Sequence, residues 1–219
     1  GNIMSLQKIL LELLSGMVTS SEIFLLTLLL ALPLGLLISF GRMAKFRVLR
    51  FLTQFYISVM RGTPLMLQLL VVYYGPYFIF GIRITNEYRF IAVIIGFVLN
   101  YAAYFAEIYR GGIQSIPVGQ YEAAKVLGYS RAQCFGRIIM PQVIKRIIPA
   151  LTNEIITLIK DTSLSFALAV PEMFTTAKAI AAADKTMTAF AAAGVFYYVF
   201  NLLVAGIMRK VEQKLSYYR

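Results

Sequence analysis

The run IFLLTLLLALPLGLLISF, from Ile23 to Phe40, contains no charged residue. A helix needs about 20 predominantly apolar residues to cross a hydrocarbon core, so this stretch reads as a membrane span. Four more stretches of that kind follow, at roughly Phe55–Tyr77, Phe90–Tyr109, Ile147–Leu168 and Met187–Met208. In the second, the apolar pattern extends from Phe51 to Phe80. The chain therefore reads as an all-α integral membrane protein of five transmembrane helices in one domain over residues 1–219.

Composition agrees. Of the 219 residues, 59% are hydrophobic and 14% are charged, against about 25% charged in a soluble domain. The net charge of +11 would suit nucleic acid, but the bases sit between apolar blocks and there is no Trp, so no nucleic-acid partner is expected. Cys134 stands alone, which excludes an intramolecular disulfide, and the absence of His leaves no His-based metal site or triad. No catalytic residue and no metal ligand is assigned. The first apolar block has a weak basic flank and no small-x-small cleavage site, so it reads as a retained helix and not a signal peptide.

Loop charges orient the spans, because Lys and Arg accumulate on the cytoplasmic side. Arg42, Lys45, Arg47 and Arg50 follow the first span, and six bases lie between Arg110 and Arg146. The tail adds Arg209, Lys210, Lys214 and Arg219. The opposite side carries Lys8, Arg83, Arg89, Lys178 and Lys185, diluted by Glu12, Glu22, Glu87, Glu172 and Asp184. Fourteen bases face five. The expected topology is N-terminus outside and C-terminus cytoplasmic.

The segment between the third and fourth spans is too long for a turn. Over about 119–141 it reads as a short helix with Ala123, Ala124 and Leu127, a break at Gly128, and a second helix ended by Pro141. Pattern alone is equally consistent with an amphipathic hairpin lying at the interface.

Ionisable residues inside spans are costly and face a bundle interior or a watery cavity. The fourth span holds Glu154, Lys160 and Asp161, which cost about 2.5–3.5 kcal/mol each at a helix centre. Its ten Leu, Ile and Phe residues return only about 3–6 kcal/mol on the same scale, so protein must surround it. Glu154 and Asp161 are seven apart on one face, with Thr157 and Ser165 beside them. The polar run Lys160, Asp161, Thr162, Ser163, Ser165 suits a broken helix of the kind that forms transporter sites. In the second span Gln54, Arg61 and Gln68 share a face, and Gly62 and Pro64 predict a kink. Asn100, Tyr104 and Glu107 line the third, with Glu107 placed to pair with Arg110. The alternative is that Arg61, Lys160, Glu154 and Asp161 pair with one another to hold the bundle. The Ala-rich stretch Ala181–Gly194 reads as helix packing, within this chain or against a second membrane subunit.

The segment EAAKVLGYSRAQCFGRIIMP, Glu122 to Pro141, resembles the EAA signature of bacterial ATP-binding-cassette (ABC) import permeases, with Met140 where Leu is usual. RGTPLMLQ (Arg61–Gln68), AAYFAEIYRGGIQSIPVGQYEAA (Ala102–Ala124) and KDTSL (Lys160–Leu164) are similar to the polar amino acid branch, which includes permeases for arginine, histidine, lysine and glutamine. The resemblance implies a permease of the bacterial cell membrane that is not itself an enzyme. Its partners would be two copies of an ATP-binding subunit, a second permease subunit and an extracytoplasmic amino-acid-binding protein. The hairpin would act as the coupling helix through Glu122, Ala123, Ala124, Gly128 and Arg131. No GxxxxGK[ST] loop occurs, so ATP and Mg²⁺ would be used by the partner, with no cofactor bound by this chain.

The expected mechanism is alternating access driven by that partner. A zwitterionic substrate needs a cation for its carboxylate, from Arg61 or Lys160, and an anion for its ammonium, from Asp161 or Glu154. Thr162, Ser163, Asn100 and Tyr104 would complete the site. An acid left over favours arginine, lysine or histidine above glutamine or glutamate, and a chain holding both signs suits a homodimer. A secondary transporter or channel would share the polar spans, but no internal repeat is found. A membrane enzyme would have only carboxylates and lysine to work with.

Overall fold

The computed structural model describes residues 3–216; Arg219, counted above among the cytoplasmic bases, lies outside them. Among the described residues every regular element is helical. Helix α1 spans Leu6–Arg42, α2 Arg47–Gly62, α3 Leu65–Phe80 and α4 Tyr88–Gln114. The short α5 (Val118–Val126) and α6 (Arg131–Cys134) lead through a π-turn into α7 (Met140–Asp161). A 3₁₀ segment, Thr162–Leu168, precedes α8 (Met173–Asp184) and α9 (Thr188–Leu215). Helices α1, α4 and α9 are each long and apolar enough to cross a membrane. Two bent pairs, α2–α3 and α7–α8, bring the count to five if each is one span.

Four sequence expectations change in detail. The first span was expected at Ile23–Phe40, yet α1 runs unbroken for 37 residues, about 55 Å at 1.5 Å per residue. Glu12 and Glu22 interrupt the apolar run without interrupting the helix, because nothing near them breaks helical hydrogen bonding. The kink expected after Arg61 is a 113° break between α2 and α3. Pro64 has no N–H and confines Thr63 to extended backbone (φ −123°, ψ 151°). Pro141 does not end the hairpin. The helix continues past it, since Met140 N–H donates to the Phe135 carbonyl five residues back and the π-turn absorbs the register change. Glu172, counted with the outer loop charges, is fully buried.

The bundle is built on α1 and α4. A side chain at Gly35 would bring its Cβ to 2.8 Å from Phe105 Cβ and 3.1 Å from the Ala102 carbonyl oxygen, so the two helices pack there with no room for a Cβ. Ala102, Ala103 and Ala106 on α4 are fully buried, the small-residue packing that membrane helices use. The N-terminal half of α1 packs through Ile9 and Leu13 against Met173, Ala177, Ala189 and Ala193. The Ala-rich stretch is thus a helix contact within this chain. The opposite face of α9 leaves Val195, Tyr198, Leu202 and Leu203 exposed.

Candidate functional site

The site forms where the α2–α3 break meets α4 and α7. The break frees backbone carbonyls, and side chains satisfy them: Gln68 Nε2 donates to Met60 O at 3.0 Å and Thr63 O at 3.2 Å. Asn100 Nδ2 donates to Gln68 Oε1 at 2.9 Å and Met60 O at 3.3 Å, tying the break to α4. Asn100 is buried and acts first as this tie.

A cavity of about 350 Å³ opens beside the break. Thr63, Pro64 and Leu65 form one wall, Asn100, Tyr101 and Tyr104 a second, and Glu154, Thr157 and Asp161 the third. The seven-residue spacing of Glu154 and Asp161 delivers both carboxyls to one space. Tyr101 OH donates to Asp161 Oδ2 at 2.5 Å, which orients that carboxyl. Among the described residues the ion pairs all centre on Glu107, so no base lies within pairing distance of Glu154 or Asp161. The mutual pairing of Arg61, Lys160, Glu154 and Asp161 that the sequence allowed does not occur there.

Several predicted site residues lie elsewhere. Lys160 is exposed and off the cavity wall. Thr162 is buried, with its hydroxyl donating to Ile159 O at 2.7 Å, and Ser163 donates to Lys160 O at 2.7 Å. Both stabilise the turn from α-helix to 3₁₀ at the end of α7. Arg61 leaves the Asp161 region, placing its guanidinium 5.6 Å from the Tyr104 ring centre and 4.0 Å from Glu107. Glu107 does pair with Arg110, at 2.6 Å, and also meets Arg42 at 3.6 Å.

Two residues were missed. Tyr101 is next to Asn100, and only its contact with Asp161 distinguishes it from the other aromatics of α4. Glu172 caps α8, accepting from Phe174 N at 2.9 Å and Thr175 N at 2.8 Å, and its carboxylate also reaches Ser20 on α1 and Tyr197 on α9. Glu is not among the residues preferred at a helix N-cap, so the sequence carries no signal for that cap.

At the other end of α7, α5 and α6 form the expected hairpin. Gly128 holds φ 85°, which a side chain would strain, and Ser130 and Gln133 form a capping box at the start of α6. Glu122, Ala123 and Arg131 are exposed, but Ala124 is buried at 2% and faces its own chain. The small outward patch is therefore Ala123 alone. Arg146 Nη1 donates to Ser115 O and Oγ at 2.8 and 2.9 Å, and Gln120 and Gln142 exchange hydrogen bonds. The Gln120–Gln142 pair fastens the hairpin to the helix that carries Glu154 and Asp161, and Arg146 ties that helix to Ser115 at the end of α4, just ahead of the hairpin.

Residues 31–217 match the family described as binding-protein-dependent transport system inner membrane component. The chain belongs to that family. It is a multi-pass inner-membrane permease. The permease is 36% identical over 205 residues to the arginine transport system permease protein ArtQ of Bacillus subtilis (strain 168), covering 93% of this chain and 92% of that protein. It is 33% identical over 208 residues to the putative glutamine transport system permease protein GlnP of Rickettsia bellii (strain RML369-C), covering 94% and 93%. A solved amino acid ABC transporter with histidines superposes with a TM-score of 0.85 at 30% identity, over 98% of this chain and 99% of that one.

Proposed function

We propose that this chain is the membrane subunit of an ABC importer for cationic amino acids: arginine, lysine or histidine. One observation carries the charge preference: Glu154 and Asp161 share a cavity of about 350 Å³ with no base within pairing distance. Half-buried acids without a cationic partner carry a desolvation cost, and a cationic substrate supplies the partner on arrival. Asp161, held by Tyr101, takes the α-ammonium, and Glu154 takes the side-chain charge. Asn100, Tyr104 and Thr157 offer the remaining polar contacts.

Two copies of an ATP-binding subunit, which use ATP and Mg²⁺, dock on the exposed hairpin around Glu122, Ala123 and Arg131. The Arg146 and Gln142 contacts carry their motion into α7. A second copy of this chain completes the membrane core, and an extracytoplasmic binding protein delivers substrate. The loop charges orient the N-terminus outside and the hairpin in the cytoplasm. The second reading, transport of glutamine or glutamate, draws support from the nearly equal identity to the glutamine and arginine relatives.

Binding of labelled arginine, lysine, histidine, glutamine and glutamate to the purified complex with its ATPase subunit tests the choice. Saturable binding of the cationic set, lost in Asp161→Asn and weakened for arginine more than glutamine in Glu154→Gln, is expected. Equal losses for arginine and glutamine in Glu154→Gln would reject the side-chain role.

A further inference from the structure

A second cavity, of about 490 Å³, lies on the hairpin side of the first and is lined by Arg42, Gln54, Ser58, Arg61, Gly62 and Glu107. The two share a boundary: Gly62 and Thr63 are consecutive at the α2–α3 break, and Tyr104 and Glu107 are one turn apart on α4. Arg61 spans that boundary, over the Tyr104 ring on one side and near Glu107 on the other.

The charges do not balance. One carboxylate, Glu107, is met by three guanidiniums. Arg110 takes the close contacts, with Nη2 at 2.6 Å and Nε at 3.1 Å. Arg42 and Arg61 stand off at 3.6 and 4.0 Å. Each guanidinium has five N–H donors. With the Gln54 amide oxygen turned toward it, Arg42 donates to that oxygen at 3.2 and 3.3 Å. Arg61, at 49% side-chain exposure, has no hydrogen-bonded acceptor among the described residues. A forked donor with an excess positive field suits an oxyanion.

We propose that Arg42 and Arg61 form an exit-side station that receives the substrate's α-carboxylate as it leaves the Glu154–Asp161 cavity toward the hairpin face. The inference rests on the importer reading above. It assigns the two signs of a zwitterion to different compartments: acids hold the cationic groups in the first cavity, and arginines draw the carboxylate into the second. Glu107 keeps the station from binding the carboxylate too tightly for release. The same chemistry could come from a lipid phosphate, and the test separates the two.

Ser58, exposed on the wall of the second cavity, is converted to Cys in a Cys134→Ser background, and the complex is placed in phosphatidylcholine nanodiscs. Reaction with anionic (sulfonatoethyl) and cationic (trimethylammonium) methanethiosulfonates is compared with the ratio for free cysteine. The anionic reagent should be favoured about tenfold or more, as expected of a cleft with excess positive charge, and Arg42→Gln or Arg61→Gln should each reduce that preference. Arginine or glutamine should slow the anionic reaction, and agmatine, which lacks the carboxylate, should not. No anionic preference, or equal protection by agmatine, overturns the proposal. So does slowing by added phosphatidylglycerol with none by either amino acid, which would mark a lipid site. Protection in Ser58→Cys needs no arginine removed, so misfolding of the Gln variants does not blunt the test. Failure of the importer reading shows separately, as no uptake of any of the five amino acids by unmutated proteoliposomes carrying the ATPase and binding protein.

Discussion

Glu172 offers the sharpest test of what holds the bundle together. Its carboxylate is 0% exposed and accepts five hydrogen bonds. Oε2 serves Ser20, Phe174 N and Tyr197; Oε1 serves Thr175 N and Oγ1. Glu172→Gln keeps one acceptor oxygen and turns an NH₂ toward the other partners. The hydroxyls of Ser20, Thr175 and Tyr197 can rotate to accept from it, but a backbone N–H cannot. Whichever way the amide sits, Phe174 N or Thr175 N loses its acceptor. At about 1–3 kcal/mol for an unsatisfied group and about 2–4 °C of Tm per kcal/mol for a chain of this size, dye-monitored unfolding in detergent should register a drop of about 2 °C or more. Ser20→Ala removes one of the five donors and also the acceptor of Met173 N–H at 3.2 Å, so it should lower Tm as well. A Glu172→Gln Tm within about 1 °C of the unmutated protein would refute the reasoning, because five accepted bonds would then be contributing almost nothing.

Other outcomes follow from single contacts. Tyr101→Phe removes the hydrogen bond that orients Asp161, and substrate binding to the complex should weaken about tenfold, or ~1.4 kcal/mol; unchanged affinity would show that Asp161 needs no such support. Gly128→Ala puts a Cβ on a residue at φ 85°, at a cost of about 1–2 kcal/mol. It should impair association with the ATPase subunit while leaving substrate binding intact, which pull-down and binding assays separate. Gly35→Ala forces a methyl to within 2.8 Å of Phe105 Cβ and should destabilise the chain by about 1–3 kcal/mol through overpacking, read as a lower Tm.

Some of this protein follows from the order of its residues alone. Apolar runs long enough to cross a bilayer place the spans, because hydrocarbon permits backbone only with its hydrogen bonds made internally. The seven-residue spacing of Glu154 and Asp161 puts both on one face of α7 by helix geometry. Gly128 announces the hairpin turn, and the Glu107–Arg110 pair is legible at i, i+3. These are local rules, and each acts within a few turns of one helix.

Tertiary contact decided the rest. Arg61 looked like a ligand because it shares the polar face of Gln54 and Gln68 at seven-residue spacing beside an expected kink. The 113° break at Pro64 splits that face and turns Arg61 toward Tyr104 and Glu107. Lys160 is adjacent to Asp161 in sequence, yet one residue is 100° around a helix, so it points away from the cavity. Glu172 reads as a loop charge until α1, α8 and α9 close over it, and Ala124 reads as an outward patch until its own chain covers it. Sequence specifies periodicity and where helices are free to break. Which of two polar faces becomes a cavity depends on the angle at the break and on what packs across it, and those are set by contacts between residues far apart in the chain.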